Sequence, residues 1–314
     1  MVVFLIRRVL EAVAVLLGVT LVVFLLIHLL PGGAARALLG PRASAPVVRA
    51  FEIANGYNKP LLVQYVDYLA RLLHGNLGFS YHYNQSVGAL LAQDGPKTAL
   101  LVGMAIVIAV AVAIPLGLAQ AAKRNKALDH IGTSLALTGY SLPVFWVGII
   151  LIQLFAIKIR AFPAEAPQGT TVSQVLSQPS ALVLPVITLA IVTTALFSRF
   201  MRSSAIEALI QDYTRTARSK GASQVRVLSR HVLRNALLPV LTLIGLSLPG
   251  IVTGAILVES VFNYPGMGLL LWNAASVHDF PVLMGCALVA GAATVVGSLV
   301  ADVLYAIADP RIRY

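Results

Sequence analysis

The hydrophobic positions of this chain fall in long runs rather than in narrow stripes. Six stretches are free or nearly free of Asp, Glu, Lys and Arg, at about 9–30, 98–122, 131–157, 181–200, 236–260 and 281–307. A hydrocarbon layer of about 30 Å is crossed by roughly 20 apolar residues in a helix. Backbone in lipid must satisfy its own polar groups, which favours helices over open strands. The pattern predicts an all-α integral membrane protein with six transmembrane helices, built as a single domain over 1–314. A polar, Pro-containing stretch over 167–180 precedes the fourth run, so that helix is expected to start near Ala181. Arg7 and Arg8 precede the first run, and Ala35-Arg36-Ala37 has the look of a cleavage site. The apolar stretch itself exceeds the roughly 7–15 residues of a signal-peptide core, so it is expected to stay as a span.

Two connections are long enough to carry structure of their own, 31–97 and 201–235. In the first, 60–74 reads as a helix. Asn58 offers a cap, Pro60 suits the first turn and Gly75 ends it, while Leu61, Leu62, Tyr65, Val66, Leu69, Leu72 and Leu73 form an apolar face. An amphipathic stripe mostly reports burial, so this face is expected to pack on the outer surface of the bundle, with a docking platform as the other reading. In the second connection, 205–220 lacks Pro and Gly and has a helical rhythm, with Gly221 as its stop. Thr216, Ala217 and Ser219 give it a small face next to Gly221. On physics alone that face suits a closely approaching protein partner as well as the charge suits anionic lipid.

Composition agrees with a membrane body: 58% of the 314 residues are hydrophobic and 11% charged, against about a quarter charged in soluble domains. Mean hydropathy is +0.86. The net charge of +11 is what orients the chain. With the N-terminus inside, the cytoplasmic segments carry fifteen Lys and Arg, eight of them between Arg199 and Arg234. The opposite side carries Lys158 and Arg160, once the long first loop is set aside as too long for the rule to count. Both termini are thus expected in the cytoplasm. A nucleic-acid binder would gather its charge on one soluble face, and this chain spreads it beside membrane spans.

Candidate chemistry is sparse. No G-x-x-x-x-G-K-[ST] run occurs, and Gly95-Pro96-Lys97-Thr98 has the wrong spacing for one. Gly266-x-Gly268 has Leu271 where a dinucleotide fingerprint needs its third glycine. The histidines are scattered, so no metal site is expected. Cys286, the one cysteine, is read as a small packed residue. Glu259 and Asp302 lie near span ends and are read as solvated carboxylates. Pro115, Pro143, Pro185 and Pro249 interrupt spans, and Gly250-x-x-x-Gly254 permits close helix contact.

The segment Asp212-Tyr213-Thr214-Arg215-Thr216-Ala217-Arg218-Ser219-Lys220-Gly221, followed by His231-Val232-Leu233-Arg234-Asn235-Ala236-Leu237-Leu238-Pro239, resembles the cytoplasmic loop of dipeptide and oligopeptide ABC-transporter permeases. Further blocks resemble the family in order: Asn58-Lys59-Pro60-Leu61 with Gln64-Tyr65, His74 to Ser80, Leu137 to Pro143 with Phe145-Trp146, Glu259, Phe262, Tyr264 to Gly268, and Asp309 to Arg313. Arg215, Thr216 and Ala217 stand where the wider ABC pattern has Glu-Ala-Ala, with Gly221 in register; Leu238-Pro239 comes late, and Asn76 replaces a common acidic residue. The resemblance implies a type I importer permease in a bacterial inner membrane. It would work with a second homologous permease, cytoplasmic ATP-binding subunits that hold ATP and magnesium, and an extracytoplasmic substrate-binding protein. It would carry no cofactor of its own. The resemblance further implies an ATPase-coupling helix. In it Ala217 and Gly221 permit close approach, Asp212, Arg215, Thr216 and Arg218 supply polar and charged contacts, and Tyr213 is an aromatic anchor; 123–130 would make a second, shorter contact. The other readings are a stand-alone secondary transporter or channel, which calls for inverted repeats or mid-span charges, and a membrane scaffold.

Overall fold

A computed structural model describes residues 2–29, 35–36, 39–40 and 43–308. The terminal run 309–313 lies outside them, as do the side chains of Pro249, Gly250, Gly254 and Asp302. The chain is a helical bundle. Helix α1 (Val2–His28) leads to a small unit of α2 (Ala45–Asn55), α3 (Leu61–Leu73) and a two-stranded hairpin, β1 (Phe79–Ser80) and β2 (Gln85–Ser86). There follow α4 (Val87–Ala122), α5 (Ala127–Ser141), α6 (Val144–Leu151) with a π-helical extension (Ile152–Lys158), and α7 (Val172–Leu176). The rest comprises α8 (Pro179–Ile210), α9 (Asp212–Ser219), α10 (Gln224–Arg226), a π-helical turn (Val227–Val232), α11 (Leu233–Val261), α12 (Met267–Val277) and α13 (Phe280–Ala308).

Among the described residues, α1, α4, α8 and α13 are long and apolar enough to cross a membrane. The run expected as one straight span over 131–157 is instead two helices, α5 and α6 with its extension, bent by 103°. The cause is local. Pro143 disfavours helical backbone at the residue before it, and Leu142 is extended at ψ 135°.

Lipid tails are as apolar as leucine, so helices in a membrane associate by close packing of small residues. Helix α4 shows the pattern: Leu101, Ala105, Ala109, Ala113, Gly117 and Ala121, four residues apart, make one buried ridge. It lies against α8, and the two helices run in the same direction. Gly117 meets Met201 and Arg202, while Lys97 at the other end donates to the Gly169 carbonyl (3.0 Å) just ahead of α8. The face of α8 that completes this core includes Leu182, Leu189, Phe197 and Met201.

Helix α3 ends where expected. Gly75 takes a left-handed φ of 75°, with Asn76 N–H bonding Arg71 O (3.0 Å) and Gly75 N–H bonding Leu72 O (2.9 Å). Its orientation differs from expectation. Leu61, Leu62, Val66 and Leu73 are exposed, at 53%, 75%, 56% and 88%, and Gln64 and Tyr68 are the buried pair. Hydrogen bonds from α1 decide this: His28 Nε2 pairs with Gln64 Oε1 (2.9 Å) and Thr20 with the Tyr65 hydroxyl (2.9 Å). A polar and aromatic face docks, with Leu69 and Leu72 half-buried at its edge, and Leu61, Leu62, Val66 and Leu73 are turned away from the bundle.

Candidate coupling site

At the end of the bundle that carries most of the basic residues, α8 runs on to Ile210 with Met201, Ala205 and Ala208 buried. The single helix expected over 205–220 is therefore two. Gln211 leaves the helical region at ψ 153° and caps α9, its carbonyl accepting from the amides of Thr214 (3.0 Å) and Arg215 (3.2 Å). The buried Thr214 hydroxyl donates to the Ala208 carbonyl across the break (2.9 Å). Thr214 and Ala217, three apart on one face, fasten this short helix to the chain.

Asp212, Tyr213, Arg215, Thr216 and Arg218 all point outward. Ala217 does not: it is 8% exposed and packs in the same core as Val227 and Val232. Its small size lets α9 sit close to its own bundle. Gly221 is exposed, and a Cβ there would meet nothing within 4 Å. Glycine is called for by conformation instead. At φ 80° Gly221 closes α9, with Ala222 N–H bonding Ala217 O (3.1 Å) and Gly221 N–H bonding Arg218 O (2.9 Å). Gly221→Val should therefore fray α9 at a cost of about 1–2 kcal/mol. Gly221→Asn, which tolerates left-handed backbone, should cost less. Faster amide exchange at 219–222 in the valine variant, and near-parent exchange in the asparagine variant, is the expected measurement.

Asp212 lies in the first turn of α9 and Arg218 in its last, each favourable to the helix dipole. The Asp212–Arg215 pair is 3.8 Å apart and 98% and 73% exposed, so water screens it and it adds little stability. Arg226, Arg230 and Arg234 extend the basic surface. Two apolar side chains are exposed at this end as well, Ile210 (60%), part of the helical rhythm of 205–220, and Val225 (75%), which sequence reasoning passed over. An isolated valine between Gln224 and Arg226 gives no periodic signal, so only its placement on the surface distinguishes it. Nearby, 123–130 is braced from within: Arg202 makes a two-pronged ion pair with the buried Asp129 (2.5 and 2.8 Å), and Asn125 N–H caps the same carboxylate (2.9 Å).

At the opposite end Glu259 is wholly buried, not solvated. Oε1 accepts from the Thr98 hydroxyl (2.6 Å), and Oε2 from the amides of Gly268 (2.7 Å) and Leu269 (3.0 Å) at the start of α12. Thr98 in turn accepts from Met267 N–H (2.8 Å). The carboxylate thus satisfies a helix N-terminus, where amide donors and dipole favour negative charge. Gly268 is needed here because a Cβ would lie 2.6 Å from Ile256 Cα and 2.8 Å from Glu259 Oε2. Tyr264 donates to the Lys97 carbonyl (2.7 Å), and Lys97 Nζ pairs with Asp94 (2.8 Å). Burial pushes the Tyr264 phenol well above its usual range. Glu259, Tyr264, Gly266 and Gly268 together tie α4, α11 and α12 into one rigid junction. Among the described residues no group of three or more His, Cys, Asp or Glu could hold a metal ion. Cys286 is buried.

A bundle of apolar helices, braced internally at both ends and presenting an anchored basic helix on one, is the architecture of a helical membrane protein. The comparisons make the class specific. The family described as "Binding-protein-dependent transport system inner membrane component" matches residues 113–314, and its N-terminal counterpart matches 1–102. The chain is 36% identical to the oligopeptide transport system permease protein AppB of Bacillus subtilis, over 99% of each chain. It is 36% identical to the glutathione transport system permease protein GsiC of Salmonella typhimurium, again over 99% of each. It is 35% identical to the dipeptide transport system permease protein DppB of Escherichia coli, over 99% of this chain and 98% of that one. The chain belongs to the binding-protein-dependent permease family: it is an inner-membrane permease subunit of an ABC importer. Such a system includes a substrate-binding protein and an ATPase.

Proposed function

We propose that this chain forms half of the path of an ATP-driven importer of short peptides, and that α9 is the element through which a cytoplasmic ATPase drives it. In this reading the membrane is crossed six times, by α1, α4, the bent α5–α6 pair, α8, α11 and α13, with both termini in the cytoplasm. The distribution of Lys and Arg supports that orientation. A second, homologous permease completes the path, and ATP and magnesium are bound by the ATPase subunits. The peptide reading rests on relatives named for oligopeptides, dipeptides and glutathione, which share a peptide backbone. The observation that carries the coupling assignment is the division of α9 into two faces: Thr214 and Ala217 buried against the bundle, the charged and aromatic residues outward.

A chain with Cys286→Ala and Val225→Cys, co-expressed with its ATPase, should crosslink to that subunit through residue 225. Arg215→Glu with Arg218→Glu should insert normally yet lower ATP-dependent peptide uptake at least about tenfold, as when interfacial charges are reversed. Crosslinks to phospholipid alone, or undiminished uptake in the double variant, would remove the assignment.

A further inference from the structure

At the end of the bundle away from α9, the small unit of α2, α3 and the hairpin borders a half-open cavity of about 420 Å³, with α1 and the start of α13 as its other walls. Volumes of roughly 300–1,000 Å³ are typical of sites for small organic ligands. Its walls are aromatic. Phe51 stacks on Tyr57 (centroids 6.0 Å apart) and meets Tyr81 edge-on (5.9 Å), while Phe24 lies 6.2 Å from Tyr68.

Two polar groups on these walls are unspent. Tyr68 is 8% exposed, and its hydroxyl has no hydrogen-bond partner. Buried hydroxyls are seldom left so, because the lost hydration costs about 1–3 kcal/mol. Arg71 follows three residues later on the same helix, which brings both side chains to one face. Its natural partner four residues back, Asp67, is engaged by Lys59 Nζ at 2.7 Å, and among the described residues Arg71 forms no ion pair. Burial lifts the Tyr68 phenol to about 12, against the opposing pull of the Arg71 charge, so the hydroxyl stays a donor at neutral pH. A guanidinium offers a planar fork matched to a carboxylate. The ring wall argues against a bare inorganic anion, which would gain nothing from it, and a single cation argues against a polyanion.

We propose that this cavity is a receiving site for short peptides, in which Arg71 takes the terminal carboxylate, the Tyr68 hydroxyl bonds the peptide, and Phe51 and Tyr57 hold an apolar side chain. The proposal rests on the peptide reading given above and adds to it a station outside the path between the spanning helices.

The test uses the assembled importer in nanodiscs, without its binding protein, and equilibrium dialysis of radiolabelled Leu-Phe and of Leu-Phe amide. The free acid should bind, and Arg71→Gln should weaken it by at least about tenfold, as expected for a charged hydrogen bond. Tyr68→Phe should weaken it by about threefold to tenfold. The amide should bind weakly and be indifferent to Arg71→Gln. Equal binding of acid and amide, or acid binding unmoved by both substitutions, would overturn the proposal. ATP-dependent uptake with the binding protein present is measured alongside. Peptide uptake without this binding pattern sinks the cavity site alone, whereas absence of any peptide uptake sinks the peptide reading itself.

Discussion

Glu259→Ala is expected to cost about 3–5 kcal/mol and to lower the yield of folded protein sharply, as when one partner of a buried charged cluster is removed. The cost has an itemised origin. The substitution strips an acceptor from the buried Thr98 hydroxyl and from the amides of Gly268 and Leu269 at once. Glu259→Gln retains one acceptor oxygen in nearly the same volume and should lose roughly half as much. Thermal unfolding in detergent, read by the exposure of buried Cys286 to a thiol reagent, gives the ordering parent, Gln, Ala. An alanine variant that unfolds with the parent would show that the three donors have other partners.

The second large effect is expected at Gly117. A Cβ there would sit 2.7 Å from Met201 Cβ and 2.9 Å from the Arg202 backbone nitrogen, so Gly117→Leu must push α4 and α8 apart along their shared ridge. Overpacking of this kind costs about 1–3 kcal/mol or more. In a membrane the loss is not recovered elsewhere, because close packing is itself what holds the two helices together. Gly103, on the same helix, would present a Cβ to open space. Gly103→Leu is the matched control: near-parent unfolding there, with a clear drop for Gly117→Leu, separates a steric effect from a general change in hydrophobicity. Equal behaviour of the two would contradict the tight α4–α8 contact.

Local signals explain which parts of this architecture were legible in the chain. Pro60 and Gly75 act within one turn of where they stand, and α3 lies between them. Pro143 marked an interruption but not its size, because the 103° between limbs depends on what each limb packs against. The break at Gln211 had no signal at all. Glutamine is an ordinary helix residue, and what stops α8 there is the capping geometry and the Thr214 bond to Ala208. The same holds for burial. The α3 stripe met the usual pattern for a packed face, but that pattern reports contrast between faces and not which face has the better partner. Hydrogen bonds from residues 20 and 28 settled the matter. Glu259 looked like an end-of-span carboxylate because Thr98, its donor, lies far away in sequence. One feature was legible and passed over: the alanines and glycine at every fourth place in α4, which Ala105, Ala109, Ala113 and Gly117 spell out. In α9 the sequence pattern did not separate the two faces, because a small side chain such as Ala217 serves an inner contact as readily as an outer one.

In the coupling proposed above, the anchoring of α9 would make it the handle of a lever. Helix α8, to which the Thr214 hydroxyl binds it, has 32 residues and is a rod about 48 Å long. Pivoting about its middle, such a rod turns through roughly 10° for a pull of about 4 Å at the handle. Because α4 packs along it, from Gly117 against Met201 to Lys97 beside Gly169, such a swing would carry both helices and reach the far rim of the molecule.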